Sequence, residues 1–174
     1  MSDYETFVDE ATPRLLRLGL ALTGSLATAE DLVQEALIVA FRRWARLDAR
    51  GRYAYARRSL VNAHIDLARK SRASAQPSRP TEVGEHGGVT PEGVLLNREL
   101  DREIRAAVRS LPPHQQAVVT LKHFENLSTR EIADALNIRE STVRSSLNRG
   151  HATLRIKLHG TRLQDDKERD VPYK

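Results

Sequence analysis

The chain has no cysteine, which excludes disulfides, thiolate nucleophiles and thiol redox sensing and makes an intracellular home natural. No apolar run is long enough to span a bilayer. The amino terminus, Met1-Ser2-Asp3-Tyr4-Glu5, is acidic and lacks the basic start of a signal peptide. No strand-like alternation persists, and no Gly-rich phosphate loop or paired metal-ligand spacing occurs. His64 and Asp66 are close in sequence, but at i and i+2 on a helix they point apart. His86-Gly87-Gly88 offers no metal site. The expectation is a soluble, cytoplasmic, all-α protein that is not an enzyme and holds neither cofactor nor metal.

What is there is charge and helical periodicity. A length of 174 residues allows one medium domain or two small ones, and 28 Lys plus Arg against 23 Asp plus Glu leave a net charge of +5. That balance suits a polyanionic partner where the charge clusters. Phe7, Ala11, Leu15, Leu18 and Leu22 recur every three or four residues and predict a first helix. Pro13 either kinks it or marks its start, and Gly24 stops it. Thr28 and Asp31 read as a capping-box-like start of a second helix running to Trp44. Val33, Leu37, Ala40, Phe41 and Trp44 form its apolar stripe, while Gln34, Glu35, Ile38 and Arg42 lie away from it, as a solvated face or a docking face. After a loop from Leu47 to Arg52, a third helix buries Tyr53, Ala56, Leu60, Ala63 and Leu67. Its other faces carry Arg57, Arg58, Asn62, Arg69, Lys70 and Arg72. With Arg42, Arg43, Arg50 and Arg52 close by and Tyr53 and Tyr55 among them, this surface combines phosphate-binding cations with rings that stack on unpaired bases.

From Ser71 to Pro91 the periodicity gives way to Ser, Pro, Gly and Thr, the composition of a flexible linker. Periodicity resumes with Leu95, Leu96, Leu100, Ile104, Val108 and Leu111. Pro112-Pro113 opens a helix from His114 to Phe124 with Ala117, Val118, Leu121 and Phe124 inside. Ser128 and Glu131 then form a capping box, Ile132, Ala133 and Leu136 an inner face, Asn137 a left-handed stop and Ile138 a plug in the turn. The next helix turns Val143, Leu147 and Leu154 inward and Arg144, Ser145, Asn148 and Arg149 outward. This is a helix-turn-helix pattern, whose second helix lies in a major groove where Arg, Ser and Asn read base edges and Arg also binds phosphate. After Gly160 the charged tail is expected to be disordered.

In combination these motifs resemble the extracytoplasmic-function sigma factors of bacterial RNA polymerase, and among them the compact actinobacterial SigE family. Ala29-Glu30-Asp31-Leu32-Val33-Gln34-Glu35-Ala36 is similar to the polymerase-binding helix of sigma region 2. Arg57-Arg58-Ser59-Leu60-Val61-Asn62 resembles its DNA-melting helix, and Leu111-Pro112-Pro113 with Gln115 opens sigma region 4. The resemblance implies two small helical domains joined by a flexible linker: region 2 over 1–72, linker 73–92, region 4 over 93–160 and a disordered tail 161–174. It implies polymerase binding by Gln34, Glu35, Phe41 and Arg42, although Phe41 could equally be core. Minus-ten DNA falls to Asp48, Arg50, Arg52, Tyr53, Arg58, Asn62, Arg69 and Lys70. Minus-thirty-five DNA falls to Arg139, Ser141, Thr142, Arg144, Ser145, Asn148 and Arg149. The implied partners are core RNA polymerase and promoter DNA, with an anti-sigma factor as a further class, and the implied role is promoter-specific initiation.

The sequence departs from the family at three positions. Ser146 and His151 stand where many relatives carry Arg, and Arg139 replaces the usual capping Ser of the recognition helix, a loss of about 1 kcal/mol. The alternative role is a free-standing helix-turn-helix regulator, which leaves the region 2 motif and the basic aromatic loop without a use.

Overall fold

The computed structural model describes residues 3–73 and 94–169, with the side chains of 94–100 and 160–169 left aside. In chain order it contains α1 (Asp3–Thr23), α2 (Leu26–Arg42), a 3-10 turn (Trp44–Arg46), α3 (Gly51–Ala73), α4 (Val94–Arg109), α5 (Pro113–His123), α6 (Thr129–Leu136) and α7 (Glu140–Arg169), and no strand occurs among the described residues. The linker expected over 73–92 lies, apart from Ala73 at the end of α3, outside the described residues.

Helix α1 continues through Pro13, whose missing N–H leaves the carbonyl of Asp9, an exposed residue, without its helical donor. Gly24, at φ +69, ends it in the left-handed conformation that glycine adopts freely. Helix α2 starts before Thr28. Ser25 is its N-cap and accepts the Thr28 N–H, because it is the first hydroxyl after the turn at Gly24. Gly19 lets α1 and α2 come close, since a Cβ there would stand 3.0 Å from that of Ala29.

Leu15, Leu18 and Leu22 of α1 pack with Leu32, Val33, Ala36 and Ala40 of α2 and Ala56, Leu60, Val61 and Ile65 of α3. Leu67, expected inside, is 45% exposed, because the last turns of α3 run beyond this core. In the second unit Ala117, Val118, Leu121, Leu127, Ile132, Leu136 and Val143 are buried. Phe124, also expected inside, is 49% exposed. As the C-cap residue of α5 it keeps helical dihedrals, with its N–H on the Thr120 carbonyl at 2.8 Å, and its side chain lies where the packing neighbours of α5 have ended.

The helix-turn-helix is α6 and α7. Both bonds of the Ser128–Glu131 capping box form, Asn137 sits at φ 53, and Ile138 packs against the core. Helix α7 crosses α5 at Gly150, where a Cβ would meet Val119 Cγ2 at 2.8 Å. Its backbone is helical past Gly160 to Arg169.

The two units are packed on one another, and nothing in the sequence announced this. Helix α3 lies against α5 and α6, and a single hydrophobic core runs through both units. Polar ties cross the seam. His64 meets Gln116, whose amide donates to the Leu22 carbonyl at 2.6 Å. Arg72 donates to the Leu111 carbonyl at 3.1 Å.

Candidate nucleic-acid and partner interfaces

On α2 the residues turned away from the core form one exposed stripe: Gln34, Glu35, Ile38, Phe41 and Arg42. Phe41 is not core. It is 59% exposed and Ile38 is 46% exposed. The ring is nonetheless held, 4.7 Å from the ring of Tyr4, which stacks edge-on against Trp44 at 5.0 Å and donates its hydroxyl to the Leu37 carbonyl. A fixed apolar surface edged by Gln, Glu and Arg has the mixed character of a protein-docking face.

The residues expected to meet minus-ten DNA divide into two groups. Arg50, Arg58 and Lys70 are exposed and Asn62 is half-buried. The others are already engaged within the fold. Asp48 caps α3 by accepting the Gly51 N–H. Arg52 pairs with Asp3 at 2.7 Å and lies 3.8 Å over the Trp44 ring. Arg69 lies 2.6 Å from His114 of α5, and burial, with Arg69 beside it, lowers the His114 pKa while Asp66 opposes the shift. Tyr53 points its hydroxyl at Glu125 of the second unit, 3.3 Å away. Burial above all, together with that carboxylate, pushes its pKa up to about 12.

Arg139, just before α7, and Ser141, Thr142, Arg144, Ser145, Asn148 and Arg149 on it are all exposed. The Arg139 carbonyl accepts the Thr142 and Val143 N–H groups, so the backbone opens the helix without a capping hydroxyl. Arg144 pairs with Glu140 at 2.9 Å. The Ser145 hydroxyl donates to the Thr142 carbonyl, which leaves its oxygen free to accept. His151 lies 2.9 Å from His123 of α5. Burial, with His151 and Lys122 nearby, lowers the His123 pKa.

The sequence pattern considered His64 only against Asp66 and gave no sign of Gln116 or Glu125, and all three hold the seam. Their partners lie 52 to 94 residues away, and no local signal marks them. Among the described residues no three His, Cys, Asp or Glu side chains are grouped to hold a metal, and no helix is long and apolar enough to cross a membrane.

Residues 7–74 match the family described as Sigma-70 region 2, and residues 101–154 match Sigma-70, region 4. The chain is 32% identical over 158 residues to the RNA polymerase sigma-E factor of Streptomyces coelicolor, covering 90% of this chain and 86% of that one. It is also 32% identical over 158 residues to the ECF RNA polymerase sigma factor SigE of Mycolicibacterium smegmatis, covering 89% of this chain but only 61% of that longer one. The ECF sigma factor SigW of Bacillus subtilis is 28% identical over 166 residues, covering 89% and 88%. Among solved structures, the sigma factor RpoE of Bartonella quintana, in complex with the anti-sigma factor NepR, aligns with a TM-score of 0.66 over 91% of this chain and 98% of that one. At 20% identity this is a likeness of fold.

Proposed function

The chain belongs to the extracytoplasmic-function sigma factors of bacterial RNA polymerase, and on that premise we propose how its surfaces divide the work of promoter-specific initiation. The α2 stripe of Gln34, Glu35, Ile38, Phe41 and Arg42 docks core polymerase. The basic face of α3 and the short loop before it, with Arg50, Arg58, Asn62 and Lys70 accessible, take the melted minus-ten strand. The outward face of α7 reads the minus-thirty-five element, with region 2 over 1–72 and region 4 over 93–160. Polymerase supplies the catalysis, and the chain works in the cytoplasm beside it. A partner of the anti-sigma class, as found on the structural neighbour, would act by covering the α2 stripe.

The observation that supports this reading is the α2 stripe, exposed Ile38 and Phe41, with the Phe41 ring held by Tyr4, on the helix whose sequence resembles the polymerase-binding motif. The packed arrangement of the units is a resting form. The two promoter elements stand about 25 base pairs apart, which is roughly 85 Å at about 3.4 Å per base pair. A packed chain of this length is only about 40 Å across, so the units must separate to reach both.

Run-off transcription with core polymerase over a promoter library tests the reading. Promoter-specific transcripts should need both chain and core. Tight promoter binding by the chain alone, with no transcript, would sink it.

A further inference from the structure

We propose that Arg14, Tyr53 and Arg57 form a phosphate-binding subsite for single-stranded DNA, and that the chain's own Glu125 occupies it while the two units are packed together. The inference rests on the reading above, which assigns melted DNA to α3 but leaves Arg14 and Arg57 without a role.

Tyr53 and Arg57 meet on one carboxylate, and Arg14 stacks on the Tyr53 ring. The Glu125 carboxylate accepts the Tyr53 hydroxyl at 3.3 Å and Arg57 Nη1 at 3.4 Å. The Arg14 guanidinium lies 3.9 Å over the centre of the Tyr53 ring. Closure has largely removed water from the pair, for the Arg57 and Glu125 side chains are only 11% and 9% exposed.

Glu125 fits this place poorly. A charge-assisted N–H to carboxylate bond ordinarily spans about 2.7–2.9 Å, whereas Arg57 reaches Glu125 only at 3.4 Å. Arg57 Nε is buried with no partner at all. A guanidinium is a fork, and leaving one tine dry is costly. A phosphodiester presents two free oxygens and can take Nε and Nη together. Arg14, stacked on the Tyr53 ring, adds a second cation close by, and the Tyr53 phenol is a donor at neutral pH. A cleft of 430 Å³ lined by Arg14, Arg17, Phe124 and Glu125 opens at the same carboxylate, which gives an incoming strand a way to reach and displace it.

The test is a fluorescence-anisotropy titration of the full chain, without polymerase, against labelled single-stranded DNA of about 12 nucleotides at several salt concentrations. Glu125→Gln should bind several-fold more tightly than the wild type at each salt concentration, because no internal carboxylate then competes for Arg57. Adding Arg57→Ala should abolish the gain. Asp9→Asn, an equal change of charge on an exposed part of α1, should give none. Glu125→Asp, which shortens the arm, should give a smaller gain and serves where the Gln variant loses helicity. No gain in a folded Glu125 variant, an equal gain from Asp9→Asn, or a gain that survives Arg57→Ala overturns the proposal. Wild-type transcription with core polymerase is run in parallel. If it succeeds and the Glu125 variants change nothing, only this inference falls. If no promoter is used, the reading beneath it falls.

Discussion

Nε2 of His64 lies 3.1 Å from Oε1 of Gln116, and both side chains are buried. The Gln116 amide nitrogen is committed to the Leu22 carbonyl, so its oxygen faces the imidazole and His64 must carry its proton on Nε2. Burial lowers the His64 pKa from its ordinary 6.5, and the bond to Gln116 opposes the shift only in part.

A pH dependence of stability follows. Near pH 6 an unfolded His64 takes up a proton that the folded one resists. Stability is therefore full above about 6.5 and is lost as pH falls through that value, until the folded imidazole titrates too. His114 and His123 shift in the same direction. Denaturant midpoints measured from pH 8 to 5 should fall on acidification, and His64→Gln should flatten part of the fall. A midpoint that rises on acidification contradicts the assignment.

Gly150→Ala should destabilise the second unit. The new methyl would meet Val119 Cγ2 at 2.8 Å, and β-branched Val119 cannot easily swing aside. Overpacking costs about 1–3 kcal/mol, while alanine in a helix returns about 1 kcal/mol, which leaves a net loss of about 1 kcal/mol. Val119→Ala in the same chain should relieve the clash, so a thermal-denaturation double-mutant cycle should show strong coupling. Additive losses would mean that the helices do not cross there.

Gln34→Ala combined with Glu35→Lys should abolish core-polymerase binding. Both positions are exposed on α2, so helicity by circular dichroism should stay unchanged. A loss of about 2 kcal/mol or more is expected if the pair sits at the centre of the contact. Wild-type core affinity in the folded double variant would move the docking face elsewhere.

Arg144 and Arg149 should behave differently. The Arg144–Glu140 pair is exposed and four residues apart, and such pairs contribute only about 0.3–0.5 kcal/mol. That is too little to keep Arg144 from a base contact, which contributes roughly 1–3 kcal/mol of discrimination. Arg144→Ala should therefore relax preference within the minus-thirty-five element. Arg149→Ala should weaken all sequences alike and reduce the salt slope by about one. Holoenzyme binding across element variants at several salt concentrations separates the two. A uniform loss from Arg144→Ala would end its base-reading role.

The helix-turn-helix was legible residue by residue. Ser128, Glu131, Asn137 and Ile138 act on backbone groups or neighbours only a few positions away, which is the range over which sequence rules operate. The start of α2 was misplaced because Ser25 and Thr28 offer the same hydroxyl, and only the path of the chain after Gly24 chooses between them. Leu67 and Phe124 were misjudged because periodicity marks which side of a helix is apolar but not where its neighbours end. For the proposed DNA surface the sequence indicated the side chains but not their engagement. Arg52, Tyr53 and Arg69 are held by Asp3, Glu125 and His114, and no local pattern encodes a contact across 49, 72 or 45 positions.

The core that runs unbroken from Leu18 and Leu60 into Val118 and Ile132 gives opening a calorimetric signature. Parting the units wets apolar surface, and wetting apolar surface raises heat capacity. Assembly with polymerase and DNA buries surface and lowers it. The two increments oppose each other, so the assembly enthalpy should vary with temperature less steeply than the docking areas alone require. Because apolar attraction weakens on cooling, the proposed opening should come more easily in the cold.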